Sequence, residues 1–362
     1  MPMEFGLCFD THVDKWDLIR YAEELGFDRA WVPDSQMIWS DCYATMALAA
    51  VNTKRIQIGT GVSIPGTRIA PVTAHSVASI NQLAPGRIFL GFGTGHTAMR
   101  VMGQHPMPVG EFREYLRVVR KLLDGEAVDY TYRGQTREIK FIHRDRYFVN
   151  LDNRIPIYVA ANGPKACAAT GAYADGWITV GGREADVKAK MAQIEGGAKA
   201  VGRKLPDPFH TAVLTAGCVL RPGERITDER VIDEAGAWAI AELHFFYEVW
   251  KDLGEKDEVI PPHVRNIWDA YLKRVKSFSL PENARFRQIH DGHCTFVQPD
   301  ERKFVTPELL RDSCLIGTPN EIIARIREME QAGLREITLL PNADRARNVL
   351  RDFAEQIIPA FR

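Results

Sequence analysis

The chain has 362 residues, 45% of them hydrophobic and 26% charged, which is ample apolar material for a globular core. Its 46 basic and 47 acidic residues nearly cancel, which removes any electrostatic case for nucleic acid or an anionic membrane surface as partner. No apolar run approaches the ~18 residues of a membrane-spanning helix, and strand-like sequence begins at Glu4 with no basic, apolar leader before it.

Taken in order, β-branched runs alternate with amphipathic stretches. Glu4 to Phe9 reads as a strand and Asp14 to Leu25 as a helix closed by Gly26. Arg29 to Pro33 is a second strand, with a helix over Asp41 to Val51; Arg55 to Gly61 is a third, with a helix over Pro71 to Leu83. Arg87 to Phe92 is the fourth strand, and Val109 to Leu123 the next clear helix. Ile155 to Ala161 and Gly176 to Val180 are strands five and six, separated by a helix over Lys165 to Tyr173. A helix over Glu184 to Ala200 leads to a seventh strand, Thr211 to Leu220. At the end come a helix from Pro319 to Gln331, a strand from Glu336 to Leu340 and a helix from Arg345 to Ile358.

Eight strands joined by helices predict a single α/β domain over residues 1–362, a TIM-type (β/α)8 barrel. A doubly wound open sheet is the alternative, but its glycine fingerprint follows the first strand, whereas here Gly91, Gly93 and Gly95 follow the fourth. Two segments break the rhythm. Residues 126–150 are polar and aromatic and predict a β-hairpin. Residues 222–318 predict an α-helical insertion between strands seven and eight, serving as a lid or a contact between subunits of a homo-oligomer. The six cysteines lack paired spacing and read as reduced thiols of a cytoplasmic protein.

Barrel active sites form at the C-terminal ends of the strands. Those ends carry Asp10 to His12, Asp34 to Gln36, Gly61-Val62-Ser63, Gly93-Thr94-Gly95-His96, Ala161-Asn162-Gly163 and Thr179 to Gly182. The set lacks a nucleophile paired with a base. It offers small residues and backbone amides, which suit a flat, tightly wrapped cofactor that brings its own chemistry. His96 and Asp34 are the candidate polar or proton-relay groups. His290-Asp-Gly-His293 beside Cys294 has the look of a metal motif, but no third ligand sits at a suitable spacing. A packing role in the lid is expected there, and no metal.

Four stretches, Phe27 to Ser35, Gly59 to Ser63, Gly86 to Gly95 and Ile157 to Pro164 with Ala174 to Trp177, together with a weaker match at Ile316 to Ile322, resemble the bacterial luciferase-like flavin- or deazaflavin-dependent oxidoreductases. The resemblance implies a bulge after the third strand with a cis bond at Gly61-Val62, on which the middle ring of the isoalloxazine rests. It implies that Asp34 lies near the flavin, and that Gly93 to His96 and Ala161 to Lys165, with Thr179 and Gly181, hold the ribityl chain and phosphate. Lys165, or alternatively Arg100, is the expected phosphate partner. The chain departs from the deazaflavin sugar-phosphate dehydrogenases at Ser35, where they carry histidine, and at His96, where they carry glutamate. It departs from luciferase at Thr94, where luciferase carries arginine. The implied activity is a monooxygenase that uses O2 and reduced FMN from a separate flavin reductase to oxidise a small organic substrate. A coenzyme F420-dependent hydride-transfer reductase is the alternative, and a non-catalytic flavin-binding protein a third reading.

Overall fold

In the computed structural model, which describes residues 2–180, 187–342 and 344–362, the strands are β1 (Glu4–Cys8), β2 (Arg29–Val32), β3 (Gln57–Ser63), β4 (Ile88–Phe92), β5 (Val128–Tyr132), β6 (Gln135–Ile139), β7 (Ile157–Ala160), β8 (Gly176–Val180), β9 (His210–Val219), β10 (Cys314–Gly317) and β11 (Glu336–Leu339). β1, β2, β3, β4, β7, β8, β9 and β11 pair in that order, and β11 pairs back onto β1. All eight pairings are parallel, so the sheet closes on itself as the (β/α)8 barrel expected from the alternation of elements.

The strand pattern sorts side chains to two sides, because successive residues of a strand point in opposite directions. Phe5 and Leu7 of β1, Ala30 and Val32 of β2 and Ile88 and Leu90 of β4 belong to the layer packed under the surrounding helices. Trp31, Phe89 and Tyr158 face the lumen instead. Their ring centroids stand 4.5 to 5.7 Å apart although they come from β2, β4 and β7, an approach that only inward-facing side chains achieve. Local signals set the helix ends. Asp41 accepts a hydrogen bond from the Ala44 amide at 2.9 Å. Glu321 takes the Thr318 amide at 2.7 Å, and Gly333, at φ 106°, ends the helix Pro319–Ala332 in the left-handed region.

The expected hairpin is β5–β6, antiparallel. Residues 222–313 carry the helices Glu229–Asp252, Pro262–Lys276 and Pro307–Ser313, and Trp238, Leu243 and Trp250 join the lumen residues in one continuous core. Two expectations are corrected. The stretch assigned wholly to the insertion ends in a strand: β10 pairs with Ala216–Val219 of β9, because β9 runs ten residues and its last part extends beyond the partner strand β11. The first helix begins at Asp17 rather than Asp14, after a 3-10 turn over Val13–Lys15. The start of the helix expected from Glu184 lies outside the described residues; its described part is Val187–Ala200. No helix among the described residues is long and apolar enough to cross a membrane.

Candidate active site

The C-terminal ends of the strands surround a cavity of about 710 Å³, within the range of small-molecule and cofactor sites. Gly61 and Val62 of β3, Gly93 to His96 after β4 and Asn162 to Lys165 after β7 line it, and Asp34 after β2 borders it. The Gly61-Val62 bond is cis, and the β3–β4 register slips between Thr60 and Ser63, as the resemblance implies. At Gly61 no side chain is possible, since a Cβ there would stand 2.5 Å from Trp31 Cβ. The lid supplies the roof through Trp238, Phe245, Val249, His293 and Cys294. Trp39 and His293 also line a second chamber of about 810 Å³, so the two cavities share a wall.

Asp34 is buried and fully engaged. Arg68 Nη1 donates to both carboxylate oxygens at 3.1 and 3.2 Å, Ser63 Oγ and the Ile64 amide donate at 3.3 Å, and Gln36 Nε2 also donates. Arg68 continues to Asp41 at 2.5 Å and lies 4.5 Å over the Tyr43 ring. A carboxylate held by a guanidinium and three further donors is fixed in place. Its geometry suits holding the β2 and β3 ends together better than passing a proton.

His96 opens the short helix His96–Arg100, and its ring lies tilted against Phe245 of the lid with centroids 4.6 Å apart. Its Nε2 is buried with no hydrogen-bond partner among the described residues. Burial, reinforced by the Arg100 charge, lowers its pKa from 6.5 to about 4. At neutral pH it is therefore an uncharged imidazole, able to donate or accept one hydrogen bond but not to act as an imidazolium acid. Arg100, the second candidate for a phosphate, is committed elsewhere: it pairs with Glu248 at 2.5 Å and with Asp252 on the long lid helix.

The other end of the cavity suits an anion. The helix Pro164–Tyr173 starts at Gly163 with no side-chain cap, so its first amides are open, and Lys165 lies exposed beside them. A Cβ on Gly163 would meet nothing within 4 Å, so the wall here leaves room for a bound chain. Lys190 reaches the Asn162 carbonyl from the neighbouring helix and adds a second cation. Three expected residues stand behind the lining. Ser63 is taken up by Tyr43 and Asp34, the Ala161 carbonyl accepts from Trp177 Nε1 at 2.7 Å, and Thr179 is buried in β8. Gly181 lies outside the described residues.

The family model described as luciferase-like monooxygenase matches residues 13–336. This chain belongs to that family. Among its luciferase-like relatives, a 5,10-methylenetetrahydromethanopterin reductase of Methanolobus tindarius is 36% identical over 353 residues, 95% of this chain and 97% of the relative. The enzyme of that name from Methanopyrus kandleri is 30% identical over 366 residues, 95% of this chain and 94% of the relative. A solved coenzyme F420-dependent tetrahydromethanopterin reductase from the same organism superposes with a TM-score of 0.72 at 22% identity, covering 100% of both chains. An FMN-bound type II Baeyer-Villiger monooxygenase of Pseudomonas putida shares the fold at a TM-score of 0.65 and 17% identity, covering 100% of this chain and 99% of that one. The chain is thus a luciferase-like oxidoreductase.

Several residues of this luciferase-like site escaped the sequence reading. Arg68 lies in the loop between β3 and the helix Ala70–Leu83 and Lys190 on the helix Val187–Ala200, where a cation reads as a solvated surface group, and Phe245 and Trp238 belong to the lid, whose path over the barrel no local pattern encodes. Only their helical spacing was visible, and that spacing is shared by any packed helix.

Proposed function

We propose that this chain is a coenzyme F420-dependent oxidoreductase that transfers a hydride between the deazaflavin and an electrophilic C=N or C=O carbon of a small substrate, without O2. The observation that carries the reading is the match, at 36% identity over 95% of the chain, to a 5,10-methylenetetrahydromethanopterin reductase. FMN stands only with a neighbour that shares the fold at 17% identity, so the FMN- and O2-dependent monooxygenase expected from the motifs, and the flavin reductase that would serve it, have less support.

The residues present fit such a cofactor. It supplies, when bound, the hydride and a planar ring to carry it. Val62 presents an apolar face at the cavity floor, and the open amides after Gly163, with Lys165 and Lys190, suit its anionic tail. The unpartnered Nε2 of His96 is placed to hydrogen-bond a reacting heteroatom or the ring, acting as a neutral imidazole in a low-dielectric site. Phe245 covers one side of His96 from the lid, and a bound cofactor and substrate would close off more of the site from water, protecting a hydride from competing reactions.

The test is anaerobic. The purified chain is titrated with oxidised and reduced coenzyme F420 and, in parallel, with FMN. Saturable deazaflavin binding, with loss of its visible absorption on addition of a reduced C=N or C=O partner, supports the reading. Oxygen uptake with reduced FMN and no affinity for the deazaflavin would overturn it.

A further inference from the structure

We propose that the lid contains a binding site for a divalent transition metal of the zinc class, formed by His244, His290 and His293. The pair His290 and His293 has metal-like spacing in the sequence but no third ligand nearby in the chain. The fold supplies that ligand from the long helix Glu229–Asp252. One ring nitrogen of each histidine lies within 4.8 Å of one from each of the others.

The hydrogen bonds separate the two nitrogens of each ring. Nε2 of His244 meets Glu301 Oε1 at 2.9 Å, Nε2 of His290 meets Glu248 Oε1 at 3.2 Å, and Nε2 of His293 meets the Cys294 sulfur at 3.5 Å. The three Nδ1 atoms are buried and have no hydrogen-bond partner among the described residues. His244 and His290, each oriented by a carboxylate on one nitrogen and left bare on the other, have the usual arrangement of metal ligands, and His293 is oriented by the Cys294 thiol. His244 and His290 are 1% and 5% exposed, so water cannot readily satisfy the bare nitrogens.

Ring geometry agrees. His244 to His290 and His290 to His293 are edge-on pairs with centroids 5.8 and 5.7 Å apart. Two imidazoles bonded to one tetrahedral ion at ~2.0–2.1 Å place their centroids roughly 5 to 5.5 Å apart, so the rings draw closer together when the site forms.

Glu248 and Glu301, the carboxylates on His290 and His244, place negative charge beside the cluster, opposed by Arg100 and Arg274. His290 and His293 border the second chamber, which gives an ion an entry path and leaves its fourth position to water. Bound metal would tie the 290–294 loop, which roofs the cofactor cavity, to the long lid helix. The proposal does not depend on which cofactor that cavity holds.

The other group of candidate ligands, Glu4, His210 and Glu336, carries no such inference. There Arg29 already occupies the space, at 2.7 Å from Glu4 and 3.4 Å from Glu336.

The experiment uses the full chain, stripped with a chelator and titrated with Zn2+ and Co2+. The expected result is one equivalent of tightly bound metal per chain, a tetrahedral Co2+ visible spectrum, and a melting temperature raised by Zn2+. His290→Ala and His293→Ala each lose more than about 100-fold in Zn2+ affinity, beyond the roughly 10–100-fold typical of removing an outer partner. His143→Ala, at an exposed site on the far hairpin side, keeps wild-type affinity. Should the buried His290 variant fail to fold, the half-exposed His293 variant and the wild-type Co2+ spectrum still decide. Absence of stoichiometric uptake by the wild-type chain would overturn the site, as would uptake that survives both substitutions.

Discussion

The two ends of the barrel use the same residue types in opposite ways. At the N-terminal end of the lumen, Glu336 is completely buried and receives Trp31 Nε1 at 2.7 Å, His210 Nε2 at 2.6 Å, Thr338 Oγ1 at 2.6 Å and the Arg29 guanidinium at 3.4 Å. Among the described residues no buried polar side-chain atom of Arg29, Trp31, His210 or Glu336 lacks a partner. At the C-terminal end, His96 and the three lid histidines each keep a buried ring nitrogen without one. A buried polar group costs little when it is paired and a good deal when it is not. The satisfied end therefore stabilises the barrel, and the unsatisfied end is poised for ligands.

The sharpest way to break this contrast is Glu336→Ala. It strands the buried Arg29 and His210 without their carboxylate, and removing one member of a buried ion pair costs about 3–5 kcal/mol. The unfolding free energy from urea denaturation is expected to fall by that amount, with the midpoint lowered in proportion. An unchanged midpoint would mean that the base network contributes nothing and that the comparison fails. At the other end Gly163→Phe is expected to do the reverse. Its Cβ enters open space on the cavity wall, so folding should be nearly unchanged while coenzyme F420 affinity, measured by fluorescence titration, falls about 100-fold, equivalent to about 2.7 kcal/mol.

His96 sharpens the contrast through pH. The unfolded chain takes up its proton at pH 6.5, and the folded chain only near 4. Acid therefore favours unfolding: the contribution of His96 is fully present above 6.5 and is lost as pH falls through that window toward 4. The wild-type urea midpoint should decline more steeply between pH 6.5 and 4 than that of His96→Gln. Between pH 7 and 8 His96 does not titrate, so turnover should show no His96-dependent limb. His96→Ala should lower kcat about 100-fold, the usual cost of removing one positioned hydrogen-bond donor, and His96→Gln should recover part of it. A His96→Ala variant with normal kcat would leave the orphaned Nε2 without a role.

The same contrast explains what could be read in advance. Strands announce themselves through β-branched runs bounded by glycine and proline, so all eight barrel strands, the hairpin and the glycine-lined mouth are legible in the sequence. β10 was not, because Cys314-Leu-Ile-Gly317 is four apolar residues with no alternation, and only the overhang of β9 gives it a partner. Partnerships between distant residues were equally silent. Glu336 reads as one acidic residue in a strand, and nothing local ties it to Arg29 or His210. His244 sits on a helix far upstream of His290, which is why the metal-like pair looked incomplete. Asp34 was visible as a polar residue at a strand end, but its role turns on Arg68, which comes from another loop.

The smallest expected effect tests how the anion end works. If the cofactor's negative tail is held mainly by the open amides at the start of the helix Pro164–Tyr173, a single exposed lysine adds little, because its charge is shared with water and salt. Lys165→Ala should then weaken coenzyme F420 binding about tenfold at low salt, about 1.4 kcal/mol, with the difference shrinking as salt is raised. Lys190 differs because it also donates to the Asn162 carbonyl and so shapes the loop that presents the amides. Lys190→Ala should therefore weaken binding by a similar factor but keep more of that loss at high salt. If both variants lose the same amount and both losses vanish with salt, the lysines act only as charges. If neither variant matters, the tail does not lie at this helix, and the Asn162 to Lys165 wall belongs to the substrate instead.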